Sequence, residues 1–280
     1  MSTAVPVLLR ELVDDAAVFP PGSAPIADAV TAHRGYRESW YSRMVGPLLV
    51  PAADLAQVGR HAAGGGPLAV GLVGPAPEIV KALDAVPADV EISHLESPVA
   101  KRGEDPVPGV RAFVTLVEER TGYAEIPLTW GLLAALDEIV SARTAGARVA
   151  PKFRTGGLAA ELFPTPVELA AVICACRDRE LPFKLTAGLH HAARYTDPET
   201  GFTHHGFLNV LAGTLAAADG AEEVEVAELL AAADPVALTY TVEPQLSRER
   251  PLWVAFGSCS VEEPLHDLRN LGLLPGGPQA

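Results

Sequence analysis

Two lysines, Lys152 and Lys184, occupy equivalent places in two short apolar segments, RVAPKFRTGG and LPFKLTAGLHH. Lysine is costly to bury without a partner, and a neighbouring cation lowers its pKa further. A lysine held partly neutral at pH 7 is a nucleophile that can add to a carbonyl group and form a Schiff base. The pair of lysines therefore suggests covalent carbonyl chemistry, provided that the fold brings the two side chains together.

A second interpretation of the same cations needs no covalent step. Arg154 lies two positions after Lys152, so both side chains share one face of a strand. Such a group of cations can bind an anionic substrate or form ion pairs with acidic residues at strand ends. The acidic candidates are Glu91, Glu96 and Glu118. Glu118 is also a candidate for moving a proton at the mouth of the site.

The segments that must position these residues form a repeating pattern of apolar runs and Ala/Leu-rich helical stretches. The apolar runs are 45–51, 67–73, 90–96, 110–118, 148–156, 182–188 and 252–258. AAVFP at 16–20 or VALTYTV at 236–242 would make an eighth. Nearly continuous apolar strands that alternate with helices are typical of a buried parallel sheet. We therefore predict one α/β domain over 1–280, a (β/α)8 TIM barrel of parallel strands with its site at the C-terminal face.

A doubly wound open sheet is the alternative fold, but no GxGxxG motif follows an early strand, which counts against a dinucleotide-binding domain. Two segments fall outside the regular repeat. Residues 1–44 are predicted to be an N-terminal helical extension, with two helices over 5–42. Asp14 and Asp15 are predicted to be solvated acids at a helix end, and a pair of ligand-binding acids is the alternative. Residues 192–251 are predicted to be a long loop and helical insertion before the last strand, and such long loops often cover binding sites.

Histidines form the other candidate group. His190 and His191 end the second lysine segment, and His205 lies in the long loop that follows. Imidazole titrates near neutrality, so one of these three is a candidate general base. We expect no metal, but an alternative site exists, because His94 and Glu96 share one face of a strand and both are common ligands of divalent ions.

Three motifs resemble those of the deoxyribose-phosphate aldolases. KFRTGG is similar to the family's strand that carries the Schiff-base lysine, FKLTAG to the next strand with a second lysine, and FGSCS at 256–260 to the last strand, which holds the substrate phosphate. The resemblance implies that Lys152 forms the Schiff base and that Lys184 tunes its pKa. It also implies a group of substrate-binding residues, namely Thr155, Gly156, Gly157, Gly188, Gly257, Ser258 and Ser260.

The chain departs from that family at several positions. The family's acidic helper would fall at Ser93, which cannot replace a carboxylate in proton transfer. Arg154 stands inside the lysine motif, where it would hold an anion, and His190-His191 replaces the usual Ile-Arg. The connection at 192–251, which contributes His205 to substrate binding, is much longer.

The function expected from these residues is that of a lyase, an aldolase-like enzyme that cleaves or forms a C–C bond in a small oxo acid or phosphorylated carbonyl compound. It would use a Schiff-base lysine and no cofactor. One alternative is a metal-dependent barrel enzyme with the lysines as anion clamps. Another is a non-catalytic protein that binds a small anion.

Composition limits the partners that we expect. A formal net charge of −14 argues against nucleic acid, because phosphate binding relies on a basic face. The three cysteines make no disulfide framework, the N-terminus lacks a signal-peptide pattern, and no run of 18 apolar residues predicts a membrane span. We therefore expect a cytoplasmic protein whose partner is a small anionic molecule. Barrels of this kind often form homo-oligomers, but the sequence locates no interface.

Overall fold

Eight parallel strands close into a barrel, which confirms the predicted (β/α)8 fold. The computed structural model describes residues 4–276. The barrel strands are β1 (Val13–Asp15), β2 (Val45–Pro51), β3 (Leu68–Val73), β4 (Val90–Pro98), β5 (Thr121–Glu125), β6 (Arg148–Arg154), β7 (Phe183–Thr186) and β10 (Trp253–Ser258). They follow one another around the barrel in chain order, and β10 pairs with β1 to close it. The short strands β8 (Tyr195–Thr196) and β9 (Thr203–His204) form an antiparallel hairpin outside the barrel.

Ten α-helices connect or cover the strands in the described residues. They are α1 (Ile26–Glu38), α2 (Leu55–Ala62), α3 (Ala76–Leu83), α4 (Val107–Val117), α5 (Leu132–Thr144), α6 (Pro166–Arg177), α7 (Phe207–Ala218), α8 (Glu223–Ala231), α9 (Pro235–Val242) and α10 (Glu262–Asn270). Helix α6 shows how the sequence sets a boundary. Thr165 and Glu168 form a reciprocal capping box around Pro166, which satisfies two otherwise unpaired backbone N–H groups. None of the helices within 4–276 is both long and apolar enough to cross a bilayer.

The predicted strand at 110–118 is wrong. This stretch belongs to helix α4, and its buried residues Val110, Phe113 and Val117 are spaced three and four apart, as one face of a helix requires. The fifth strand is instead β5, whose sequence TGYAE has little apolar character. The apolar run at 110–118 fits the period of a strand as well as that of a helix, whereas β5 lacks an apolar pattern because its interior-facing residues are polar.

The N-terminal prediction of two helices is also wrong in its first half. Residues 13–15 form β1, which makes them part of the barrel wall, while 236–242 belong to helix α9 rather than to a strand. Asp14 and Asp15 are therefore buried, with exposed fractions of 3% and 0%. Asp15 faces outward and contacts Nδ1 of His33 on α1 at 3.0 Å, whereas Asp14 faces the barrel interior.

The insertion between β7 and β10 combines the β8–β9 hairpin with helices α7, α8 and α9. The amide of Asn209 ties its parts together. Its Oδ1 accepts from the backbone N–H of Arg194, and its Nδ2 donates to the carbonyl oxygens of Leu229 and Ala232. Every heavy-atom distance in this set is 2.7 or 2.8 Å, so the loop after β7 is fixed to the helices that follow it.

Candidate functional site

Five charged side chains meet inside the barrel and form what we call the lysine cluster: Asp14, Glu96, Glu125, Lys152 and Lys184. Glu96 lies at its centre. One carboxylate oxygen, Oε2, is 2.8 Å from Nζ of Lys152, and the other, Oε1, accepts from Nζ of Lys184. Lys184 also donates to Asp14, and Lys152 lies 2.8 Å from Glu125. The predicted convergence of the two lysines is therefore observed, together with the carboxylates that neutralise them.

Strand register explains this convergence. Lys152 on β6 is directly opposite Lys184 on β7 and Glu125 on β5, so the three side chains point to the same side of the sheet. On the neighbouring strand β4, Pro98 is the residue opposite Glu125, and Glu96 lies two positions before Pro98. Because side chains alternate along a strand, Glu96 also faces the interior, one layer closer to the N-terminal ends of the strands.

Burial and ion pairing act in opposite directions on the pKa values of this cluster. Burial alone would lower the pKa of Lys152, but Glu125 and Glu96 raise it above its ordinary value. Burial likewise opposes the charge on Lys184, yet Asp14 and Glu96 raise its pKa further. The pKa of Glu96 is held well below its usual range by the two ammonium groups, despite complete burial. Both lysines are therefore cationic in the resting protein, contrary to the expectation of a partly neutral Lys152.

The aromatic residue Tyr123 and the imidazole of His94 form the layer on the N-terminal side of the cluster. The two rings pack edge to face with their centres 5.0 Å apart, and Nζ of Lys184 lies 4.9 Å from the centre of the Tyr123 ring. Nε2 of His94 is 2.8 Å from Glu96 and 3.2 Å from Lys184, so it either donates to the former or accepts from the latter. Gly71 makes room for this ring, since a Cβ there would collide with the imidazole.

Two cavities approach the cluster from opposite ends of the barrel. The C-terminal cavity, of about 180 Å³, is lined by Glu125 and Arg154 and by the loops that follow β4, β5 and β6. The N-terminal cavity, of about 650 Å³, reaches Asp14, His94 and Tyr123. Neither cavity is lined by a lysine of the cluster. Glu125 lies between Lys152 and the C-terminal cavity, and Asp14, His94 and Tyr123 lie between Lys184 and the N-terminal cavity.

Comparison with protein-family models, curated proteins and solved structures gave no significant match. The aldolase resemblance therefore remains an expectation from three short motifs, and the site must be interpreted from its own geometry.

Arg154 lies where the sequence predicts, at the C-terminal mouth next to the cluster. Its Nε and one terminal nitrogen are each 3.1 Å from Oε1 of Glu125, whose other oxygen contacts Lys152. Glu125 therefore bridges the two cations. Burial would raise the pKa of Glu125, but Lys152 and Arg154 lower it instead. Arg154 is the most exposed member of this trio, with a side chain that is 41% accessible.

The loops after β6 and β7 touch each other at the same mouth. The hydroxyl of Thr155 donates to the carbonyl oxygens of Ala187 and Thr186, so it fastens the two loops rather than facing a ligand. Gly156 lies against Gly188, where a Cβ would come within 2.9 Å of the Gly188 Cα. Gly157 packs against Leu162 of the following segment.

The FGSCS turn ends β10, and its hydroxyls are used locally. Ser258 donates to the carbonyl oxygen of Ser260 at 2.7 Å, and the Ser260 hydroxyl accepts from the backbone N–H of Glu263 at 3.2 Å. Helix α10 begins directly afterwards with Glu262 and Glu263 in its first turn. These acids oppose the binding of a phosphate at that helix start. Gly257 faces the interior beside Thr186, where an added Cβ would come within 3.0 Å of the Leu49 side chain.

The three candidate general bases, His190, His191 and His205, lie near the β8–β9 hairpin and do not contact the lysine cluster. Nδ1 of His190 contacts Glu263 at 3.1 Å, and that of His191 lies 3.5 Å from Asp267. His205 is fully buried, and Nε2 donates to the carbonyl oxygen of Pro164 at 2.7 Å. Burial lowers the pKa of His205 to about 4, so its imidazole is neutral at pH 7 and a weak proton acceptor.

Two acidic positions differ from the prediction. Glu118 is not at a strand end, because it caps the C-terminus of α4 with a positive φ of 51° and its exposed carboxylate pairs with Arg120. The carboxylate that contacts both lysines is Glu96, three residues after Ser93, the position that the aldolase resemblance indicated. Ser93 is exposed and lines the N-terminal cavity.

The sequence analysis does not identify Tyr123 and Glu125 as members of the site, and for Asp14 it favours a solvated helix end over a role in the site. Asp14 lies in a three-residue strand and Glu125 ends a strand of little apolar character, so neither segment stood out. Gly46 is the sequence feature that reflects the inward position of Asp14, because a Cβ at residue 46 would overlap the Asp14 carboxylate. Without the pairing of β1 with β2, this steric relation is invisible in the sequence.

The alternative metal ligands His94 and Glu96 do lie together, with Asp14 as a third. One potential ligand atom from each lies within 4.8 Å of the others, and all three residues are buried. The ammonium of Lys184 contacts all three side chains and already supplies a positive charge at their centre. A metal ion at this point would have to displace that ammonium.

Proposed function

We propose that this protein is a lysine-dependent, aldolase-like lyase that makes or breaks a C–C bond in a small oxo acid. The observation that supports the proposal is the contact of two buried lysines on neighbouring strands with one carboxylate, Glu96. A second lysine and a carboxylate beside the reacting amine provide the charge and the proton acceptor that Schiff-base formation requires.

Activation of Lys152 has to begin with loss of a proton, since its pKa is raised by Glu125 and Glu96. Arg154 suggests how substrate binding starts this step. An anionic substrate that pairs with Arg154 competes with Glu125 for the guanidinium. Glu125 then loses one of its two cationic partners, its pKa rises, and it becomes a better acceptor for the Lys152 proton.

The neutral amine of Lys152 then adds to the substrate carbonyl carbon, and the carbinolamine loses water to give an iminium. The Cα–Cβ bond breaks as the hydroxyl on Cβ loses its proton, the first product leaves as a carbonyl compound, and the iminium takes up the electron pair to become an enamine. Protonation of the enamine at Cα and hydrolysis of the resulting iminium then release the second product and free Lys152. Glu96 lies 2.8 Å from the Lys152 nitrogen, a distance at which it can move protons during these steps. Between these proton transfers, Lys184 keeps Glu96 ionised.

A carboxylate fits the C-terminal mouth better than a phosphate does. Arg154 and Arg102 line the C-terminal cavity, and a guanidinium binds a carboxylate through two parallel hydrogen bonds. The turn at Ser258 and Ser260, where the aldolase resemblance places a phosphate, is followed by two glutamates. We therefore favour a small oxo acid over a phosphorylated substrate.

Trapping with borohydride tests this function. The protein is incubated with pyruvate, glyoxylate and similar oxo acids and then reduced, and peptide mass spectrometry locates the adduct. We expect a reduced adduct on Lys152 that disappears in Lys152→Met. Lys101→Met is the matched control, since Lys101 is exposed and should leave the yield unchanged. An adduct restricted to other amines, or none with any oxo acid, would contradict the proposal.

The contact of Asp14, His94 and Glu96 favours a second candidate, a metal-dependent barrel enzyme in which Lys152 and Arg154 bind the anionic substrate. Elemental analysis of protein purified without a histidine tag separates the two. A stoichiometric divalent ion that is lost in His94→Ala would support the metal-dependent enzyme, while metal-free protein that still forms the Lys152 adduct supports the lyase.

A further inference from the structure

The larger of the two cavities is at the end of the barrel where binding sites are not expected. TIM-barrel enzymes use the loops at the C-terminal ends of the strands. Here the N-terminal cavity has a volume of about 650 Å³, within the range of small-molecule sites, whereas the C-terminal cavity, at about 180 Å³, falls below it. Small residues at this end, among them Ala255 and Ser93, leave the interior open.

Two arginines at the rim of this cavity have free guanidinium groups. Arg10, just before β1, and Arg43, just before β2, are exposed, and their side chains form no hydrogen bond or ion pair within residues 4–276. Arg37 and Arg250 also line the cavity, but they donate to backbone carbonyl oxygens. The rim therefore has two cations that remain available for a ligand.

The floor offers a tyrosine hydroxyl to a ligand. Tyr123 lines the cavity although the residue as a whole is only 8% exposed, and its hydroxyl makes no hydrogen bond within residues 4–276. Burial raises the pKa of Tyr123 to about 12, so its hydroxyl is a donor at neutral pH. His94 and Asp14 lie beside it and connect the floor to Lys184.

We propose that the N-terminal cavity is a second binding site, which takes a small hydroxy- or oxo-carboxylate. The ligand's carboxylate pairs with Arg10 and Arg43 at the rim, and its hydroxyl or keto oxygen accepts from Tyr123 at the floor. A tyrosine hydroxyl that lines the cavity without a protein partner favours a ligand with an acceptor oxygen at that depth, and free guanidinium groups favour a carboxylate. This site does not depend on the lyase function, because it uses neither Lys152 nor the C-terminal cavity.

Isothermal titration calorimetry at low salt tests the site with lactate, pyruvate and propionate as probes. The titrations are repeated with Lys152→Met, so that any covalent adduct at Lys152 does not contribute. We expect lactate and pyruvate to bind in both proteins and more tightly than propionate, which has no second oxygen. Arg10→Gln and Arg43→Gln should each weaken binding about tenfold, as loss of a charged hydrogen bond does.

Tyr123→Phe distinguishes the floor from the rim. It should weaken lactate and pyruvate about fivefold, the effect of a neutral hydrogen bond, and leave propionate unchanged. Arg111→Gln is the matched control, because Arg111 pairs with Glu138 on the surface and lines neither cavity, so its loss should not matter. Absence of binding by all three probes would overturn the proposal, and so would affinities that are equal in the parent, Arg10→Gln and Arg43→Gln proteins.

Discussion

At the scale of single residues, Lys184 is enclosed by polar partners. It is 1% exposed, the carboxylates of Asp14 and Glu96 balance its charge, and it also contacts the imidazole of His94. The same residue lies between the two cavities. Its ammonium group fixes the ionised state of Glu96 on one side and the position of the His94 ring on the other.

Lys184→Met should destabilise the protein by about 3–5 kcal/mol, because it leaves buried carboxylates without their counter-charge. Adding Asp14→Asn should recover part of this loss, since the uncompensated charge is then removed. Urea denaturation of the single and double variants measures the coupling. Single effects that simply add would contradict a direct ion pair between Lys184 and Asp14.

An exposed ion pair provides the matched comparison for that experiment. Arg111 contacts Glu138 at 2.9 Å on the surface, and the Arg111 side chain is 65% accessible. Water and salt screen such a pair, so Arg111→Met should change the free energy of unfolding very little.

At the scale of elements, helix α7 contains two buried polar residues with opposite roles. Asn209 makes three hydrogen bonds that join the loop after β7 to the end of α8. Thr214 is equally buried, but its hydroxyl has no partner among the described residues. The helix therefore allows a direct comparison between a satisfied and an unsatisfied buried group.

Asn209→Ala should lower the free energy of unfolding by about 2–4 kcal/mol, because three backbone groups lose their partner. Thr214→Val, its control on the same helix, should be neutral or stabilising, since the substitution removes an unsatisfied hydroxyl at constant shape. Thermal or urea denaturation of both variants gives the comparison. Equal losses would show that packing, and not hydrogen bonding, determines both effects.

The contrast between elements also explains how far the sequence could predict the site. Strands β6 and β7 carry their lysines within apolar runs, so the sequence locates both strands. Alternation then predicts that Lys152 and Lys184 meet if both of their faces point into the barrel. Strands β1 and β5 direct Asp14, Tyr123 and Glu125 inward. A strand whose interior face is polar lacks the apolar pattern by which strands are recognised, so pairing partners in the barrel were needed to find them.

At the scale of the whole molecule, the ion pairs form a continuous path along the barrel axis. From the N-terminal cavity it runs through His94 and Glu96 to Lys152, and from there through Glu125 to Arg154 at the C-terminal cavity. Each step spans 2.8 to 3.1 Å. A protein with a formal net charge of −14 thus encloses a nearly neutral charged core, which links the two ends of its barrel.

This core predicts how stability depends on pH. The pKa values of Glu96 and Glu125 are lowered in the folded protein, so their stabilisation is complete above their ordinary pKa of 4.5 and is lost as the pH falls through the lowered values. The pKa of Lys152 is raised, so its stabilisation is complete below its ordinary value of 10.5 and is lost as the pH rises through the raised value. We expect a plateau in the free energy of unfolding between these limits.

Glu125→Gln isolates one of these contributions. The variant should be less stable on the plateau, and its stability should fall less steeply below pH 4.5, because one carboxylate no longer has to take up a proton on unfolding. One titrating group accounts for a difference in slope of at most about 1.4 kcal/mol per pH unit. Urea denaturation at a series of pH values measures both slopes. Parallel curves for the two proteins would mean that Glu125 has the same pKa folded and unfolded, and the bridge between Lys152 and Arg154 would then have no electrostatic role.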